Sequence, residues 1–147
     1  MKKENKSLTA SMEDYLEMIY RLSVDTGFTR IHELSSALNV RPPSATKMVQ
    51  RLAELKLIKY EKYGVLILEE NGKLLGSELL KRHNIIENFI KIIGVDETNA
   101  LEETEKIEHT VSTKTIECID TFLHFIEENP DVLTQYYQYR FEHTSEQ

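Results

Sequence analysis

The sequence predicts a mainly α-helical chain with one short β-hairpin in its first half and helices alone in its second. Three observations predict it. Apolar residues recur at i, i+3, i+4 and i+7 along most of the 147 residues, the spacing of helices that bury one face. Five Gly and three Pro are too few for the turns of a β-sandwich. Short apolar runs flanked by charges and tyrosines, the pattern of a hairpin, stand at Leu57–Tyr60 and Val65–Leu68.

Residues 1–10 are polar and are expected to fray. Ser11 followed by Asp14 reads as an N-capping arrangement. Met12, Tyr15, Leu16, Ile19 and Tyr20 then form the inward stripe of a first helix, with Asp14 and Glu17 beside it. The spacing gives Asp14 a plain reading as the cap alone and Glu17 as a solvated charge. Asp25–Phe28 is a turn. A short helix over about 32–38 turns Ile31, Leu34 and Leu38 inward, and Asn39–Arg41 makes the next turn.

Pro42-Pro43 opens a further helix, where a missing N–H costs nothing. It runs to about Leu55 and buries Ala45, Met48, Val49, Leu52 and Leu55. Its other face shows Ser44, Thr46, Lys47, Gln50 and Arg51, the small hydroxyls, amide and cations that suit a helix reading a DNA groove. An ordinary amphipathic helix would also have a polar outside. The hairpin decides between the two readings. Lys59, Lys62, Tyr60 and Tyr63 on a hairpin behind two helices and a tight turn make a winged helix-turn-helix, whose cations meet phosphate.

Asn71-Gly72 begins a long helix reaching about Ile93, with Leu74, Leu75, Leu79, Leu80, Ile86, Phe89, Ile90 and Ile93 inward and His83 near its middle, Glu87 four residues on. Gly94–Asp96 ends it. An acidic helix follows over about 97–111. Ser112 caps the next, with Ile116, Ile119, Phe122, Leu123 and Ile126 inward. Pro130 breaks that one, and a last helix carries Tyr136, Tyr137, Tyr139 and Phe141. The expected organisation is a winged helix-turn-helix DNA-binding domain over 1–70 and an all-helical domain over 71–147, with the helix over 71–93 linking them.

The formal net charge of −7 argues at first against a nucleic-acid partner. Its distribution reverses that. Residues 1–93 hold 15 Lys/Arg against 12 Asp/Glu, whereas residues 94–147 hold 3 against 13. Such asymmetry predicts one surface for a polyanion and another for cations or a protein partner. Single Cys118 rules out an internal disulfide framework and suits a reducing cytoplasm. No apolar run approaches the ~20 residues of a membrane span. Met1–Lys6 has no apolar stretch after it and predicts no signal peptide.

In the acidic helix, Glu105, Glu108 and His109 fall on one face, two carboxylates and one imidazole bordering Ile107 and Val111. A solvated acidic face is the bland reading. Mixed carboxylate and imidazole donors suit a divalent cation, with Asp14, Glu17 and His83 as partners from remote helices. Enzyme readings fail on spacing. A di-iron carboxylate site needs Glu-x-x-His on two helices, yet Lys106 stands three before His109. His32-Glu33 lacks the second His of a zinc protease. No phosphate-cradling glycine loop is present, and no small organic substrate is expected.

The segments Ser11–Tyr15, Ser44–Gln50, Tyr60–Tyr63, Ile92–Asp96 and Ile107–His109 resemble the diphtheria-toxin-repressor family, and most of all its short manganese-responsive branch. The resemblance covers roughly residues 10–125. It implies a cytoplasmic homodimeric repressor of metal-uptake genes that binds a double-stranded DNA operator and dimerises through its C-terminal helices. It also implies two Mn²⁺ ions per subunit, held by side chains matching Asp14, Glu17, His83, Glu105, Glu108 and His109 and bridging the two domains. Fe²⁺, Co²⁺ and Cd²⁺ are possible substitutes. Iron-sensing relatives carry Met and Cys where this chain has Asp14 and Glu105. Longer relatives add an SH3-like third domain, for which this chain ends too soon. Lys106 departs from the pattern, and the tail past Pro130 matches it least. For DNA, the expected base-facing residues are Ser44, Thr46, Lys47 and Gln50, with Arg41, Arg51, Lys59, Lys62 and Tyr63 nearer phosphate. Three rivals stay open: an iron- or broad-metal-responsive regulator of the same fold, a metal-independent winged-helix regulator, and a metal-buffering protein.

Overall fold

The computed structural model describes residues 8–144. Residues 1–7 and 145–147 lie outside that range, and with them most of the stretch expected to fray. The chain divides into two units, one ending at Lys81 and the other starting at Arg82.

In the first unit, α1 (Ala10–Ser23) begins two residues earlier than the capping signal at Ser11 suggested. Thr9 is the cap. It sits in extended backbone and its Oγ1 accepts from the Met12 N–H at 3.2 Å. That leaves Ser11 inside the first turn and Asp14 exposed rather than capping. Thr9→Ala is expected to cost about 1 kcal/mol of unfolding free energy, and Ser11→Ala within roughly 0.5. Chemical denaturation of the two variants checks this, and equal losses would refute the assignment.

Strand β1 (Thr29–Arg30) leads straight into α2 (Ile31–Leu38), whose Asn39 end cap adopts left-handed backbone at φ 53°. A three-residue turn then reaches α3 (Pro42–Glu54), opened by its proline pair as expected. Strands β2 (Ile58–Tyr60) and β3 (Val65–Leu68) form the hairpin. β3 takes the middle of an antiparallel sheet ordered β1-β3-β2, with Thr29 opposite Leu66 and Tyr60 on that residue's other side. Leu16, Ile19, Leu34, Ala45, Val49, Leu52 and Leu66 are wholly buried and make the core on which the helices and sheet converge. Leu55, read as inward, is exposed because it is the end cap of α3, where the helical phase is lost.

Helix α4 (Glu70–Ile92) starts against the hairpin. A Cβ at Gly72 would lie 1.9 Å from the Leu57 carbonyl oxygen, so only glycine allows that approach. Leu74, expected inward, is 62% exposed, and Ile93 is exposed just past the helix end.

In the second unit, the remainder of α4 packs Ile85, Ile86 and Ile90 with Ala100, Ile116 and Leu123. Gly94 turns the chain at φ 113°. Asp96 caps α5 (Glu97–Ile107) by accepting from the Asn99 N–H. The acidic helix therefore stops four residues short of the expected 111. Glu108 is its end cap and residues 108–110 form a turn, after which Ser112 caps α6 (Thr113–Glu128) as predicted. Phe122, expected inward, is exposed at its edge, its ring meeting Phe89 edge-on at 5.9 Å. Pro130 begins α7 (Pro130–Thr144), which buries none of its residues. It is tethered by polar contacts instead. The hydroxyls of Tyr136 and Tyr137 donate to the carbonyls of Ile93 and Ile92, and the Arg140 guanidinium donates to Ile93 as well. These carbonyls close α4, where no intrahelical donor remains, so α7 supplies a side-chain cap from a distance.

No helix among the described residues is long and apolar enough to cross a membrane.

Candidate metal centre and nucleic-acid surface

The second unit gathers an imidazole–carboxylate cluster. His83, on α4, is 3% exposed. Its Nδ1 lies 2.7 Å from Glu108 Oε2 and its Nε2 lies 3.0 Å from Glu87 Oε2. Glu108 is also 3% exposed, and its other oxygen stands 3.5 Å from His109 Nε2. Helix α5 delivers it by burying Ala100, Thr104 and Glu108 along one line, at i, i+4 and i+8. Thr104 hides its polarity by donating to the Ala100 carbonyl at 2.6 Å.

The chemistry of these contacts points to a cation. A carboxylate only accepts hydrogen bonds, and a neutral imidazole donates only one. His83 faces a carboxylate at each ring nitrogen, so one N–H can serve one of them. The other position takes a second proton or a metal ion. A metal-ligating histidine commonly donates its remaining N–H to a carboxylate. Two imidazoles, carboxylates and no thiolate form a donor set suited to manganese, iron or cobalt.

Glu87 belongs to this cluster although its sequence neighbourhood gives no reason to choose it. Its second oxygen is 2.9 Å from Lys91 Nζ, and its carboxyl is held below the ordinary range first by that hydrogen bond, then by the charges of Lys91 and His83. The only signal available in advance was its i+4 spacing from His83.

The six residues read as ligands are placed unequally. His83, Glu108 and His109 come together. Glu105 is exposed, at the border of the buried line Ala100, Thr104 and Glu108. Because α5 ends at Ile107, His109 lies in the turn over residues 108–110 and not on the helix that carries Glu105. In the first unit, Asp14 is exposed and Glu17 accepts from Arg21 at 2.7 Å on the same helix.

The expected DNA residues are all accessible. Arg41, Ser44, Lys47, Gln50 and Arg51 are exposed on α3 or its cap, on the side away from Ala45, Val49 and Leu52. Thr46 is half-buried and its hydroxyl donates to the Pro42 carbonyl at 3.0 Å. It can offer a base its methyl group or an acceptor, but that proton is already committed. On the wing, Lys59 and Lys62 are exposed and Tyr63 is 90% exposed at the tip. Tyr63 sits at φ 63°, a left-handed conformation unusual for an aromatic residue. Gly64 follows at φ 73°, turning the chain back into β3.

Comparison with known proteins agrees with both halves. Residues 7–66 match the family model described as iron dependent repressor, N-terminal DNA binding domain. Residues 69–136 match the one described as iron dependent repressor, metal binding and dimerisation domain. A relative from Bacillus pumilus named HTH-type transcriptional regulator MntR is 44% identical over 123 residues, covering 84% of this chain and 85% of its own. One of the same name from Lysinibacillus sphaericus is 42% identical over 125 residues, covering 85% and 90%. Among solved structures, the manganese regulator SloR is similar with a TM-score of 0.69 at 31% identity. That match covers 80% of this chain and 55% of SloR, so this chain spans about half the length of that structure.

Proposed function

The chain belongs to the iron-dependent repressor family, and from that premise we propose that it is a manganese-responsive repressor of metal-uptake genes. Its place in that family makes it a DNA-binding transcriptional regulator and not an enzyme. The observation that carries the manganese reading is His83 set between Glu108 and Glu87, with His109 beside Glu108.

The proposed ligands are Asp14, Glu17, His83, Glu105, Glu108 and His109, sharing two ions per subunit. Manganese, when bound, would supply the positive charge that these carboxylate oxygens and imidazole nitrogens coordinate. The protein's part is to bring carboxylates close enough to repel one another when no cation neutralises them. Asp14 and Glu17 belong to the first helix of the DNA-binding domain, so their ligation would fix that domain for binding. A full reversal from 1:99 to 99:1 competence requires about 5.5 kcal/mol of differential binding. The homodimer would present two copies of α3 to half-sites about one duplex turn, ~34 Å, apart. Oxygen-rich ligation without thioether or thiolate favours Mn²⁺, with Fe²⁺, Co²⁺ or Cd²⁺ as substitutes. The cytoplasm is the proposed compartment.

The test uses a duplex enriched from a randomised library in the presence of Mn²⁺. Its affinity for the protein is measured in EDTA, Mn²⁺ and Fe²⁺. Tight binding in Mn²⁺ that EDTA abolishes is expected. Binding indifferent to chelator would replace the proposal with a metal-independent regulator, and metal uptake without selective DNA binding would indicate a metal buffer.

The wing gives a second prediction. Lys62→Ala should weaken binding to all sequences alike and lower the salt slope by about one unit, read from affinities at several NaCl concentrations. A loss confined to one sequence would refute a phosphate contact.

A further inference from the structure

We propose that Glu87 is the positioning residue of the metal centre. It fixes the His83 ring by accepting the Nε2 proton, and it thereby leaves Nδ1 as the donor atom for the ion. The inference rests on the manganese reading above and deepens it.

Three observations carry it. First, the two nitrogens of His83 have different neighbours. Nδ1 faces Glu108, which also stands next to His109, whereas Nε2 faces Glu87 at 3.0 Å. The ligand cluster therefore lies on the Nδ1 side. Second, Glu87 is anchored on its far side. Its Oε1 is 2.9 Å from Lys91 Nζ, leaving Oε2 for the imidazole, so both oxygens are engaged within one helix at i, i+4 and i+8. A carboxylate held by an ammonium is a good hydrogen-bond acceptor and a weakened metal ligand. Third, the geometry is built rather than adventitious. Glu87 is half-buried at 19% side-chain exposure beside a histidine at 3%, and the rigid turn of α4 sets the spacing. An outer carboxylate of this kind fixes the tautomer, raises ligand basicity and contributes about 10–100-fold in metal affinity.

The experiment compares wild type, Glu87→Gln, Glu87→Leu and Lys91→Met in the full-length chain. Mn²⁺ affinity is measured by calorimetry, and folding by thermal melting. The protonation of His83 is read in the Cd²⁺-loaded protein, which is diamagnetic, from two-bond ¹H–¹⁵N spectra. Wild type should show a protonated Nε2 and a metal-bound Nδ1. Glu87→Gln retains an acceptor oxygen and should stay within a few-fold of wild type, whereas Glu87→Leu should lose about 10–100-fold. Lys91→Met should lose less than Glu87→Leu and keeps the test open if the leucine variant does not fold. Metal on Nε2, unchanged affinity in Glu87→Leu, or a glutamine variant as impaired as the leucine one would each overturn the proposal, the last by making Glu87 itself a ligand. Wild type taking up no Mn²⁺ would overturn the manganese reading and this inference together.

Discussion

Glu108→Gln should lower Mn²⁺-stimulated operator affinity by at least about 100-fold, the largest effect expected of any single ligand change. Glu108 contacts both imidazoles of the cluster, at 2.7 Å from His83 and 3.5 Å from His109, and is almost wholly buried. An amide at that position keeps the volume but removes the charge that makes the site attractive to a cation. A factor of 100 corresponds to about 2.7 kcal/mol, roughly half of a complete switch between incompetent and competent states. Glu105→Gln provides the contrast. Its side chain is exposed, so water can replace it as a ligand at small cost, and about a tenfold loss is expected. Fluorescence anisotropy with labelled operator across a MnCl₂ titration measures both. A Glu108→Gln protein that still responds at wild-type manganese concentrations would remove this carboxylate from the switch. Larger losses at Glu105 than at Glu108 would show that the burial of α5 does not rank its ligands.

The contrast between those two glutamates marks where the sequence could be read and where it could not. Helical period alone located α1, α3, α4 and α6, because each buries a stripe long enough to outweigh local noise. It also located the wing, since Lys59–Tyr63 breaks that period with charge and aromatics. It could not find β1, whose two residues are too short for alternation to register and whose pairing partner Val65–Leu66 lies over thirty residues away. It overran α5 because Ile107 and Val111 continue the four-residue spacing past a turn that only backbone hydrogen bonding reveals. It took Leu74 as inward because a helix's inward stripe assumes packing along its whole length, and α4 lacks that near its start. The sequence singled out His83, Glu108 and His109, which the second unit brings together, whereas it did not single out Glu87 beside the His83 ring. Which oxygen of a glutamate meets which nitrogen of a histidine is a matter of rotamers, and one sequence carries no record of those.

The DNA surface gives the second large effect, at Gln50. Among the exposed residues of α3, Gln50 is the one whose side chain offers both a donor and an acceptor on a planar group. That pair matches the N7 and N6 edge of adenine in the major groove, a bidentate contact worth about 1–3 kcal/mol of discrimination. Lys47, about one turn before it, and Arg51, the next residue, can instead hold the flanking phosphates or a guanine. Thr46 is less able to substitute for Gln50, since its proton is spent on Pro42. Gln50→Ala should therefore reduce affinity for the enriched operator by about 5- to 150-fold and leave affinity for a scrambled duplex nearly unchanged. Substituting the operator one base pair at a time should reveal one position at which wild type discriminates and the variant does not. Ala45, Val49 and Leu52 hold the opposite face of α3 in the core, so the change should not alter folding. If the variant loses the same factor on every duplex, Gln50 contacts the backbone, and sequence is read by Ser44 and Lys47 at the start of the helix.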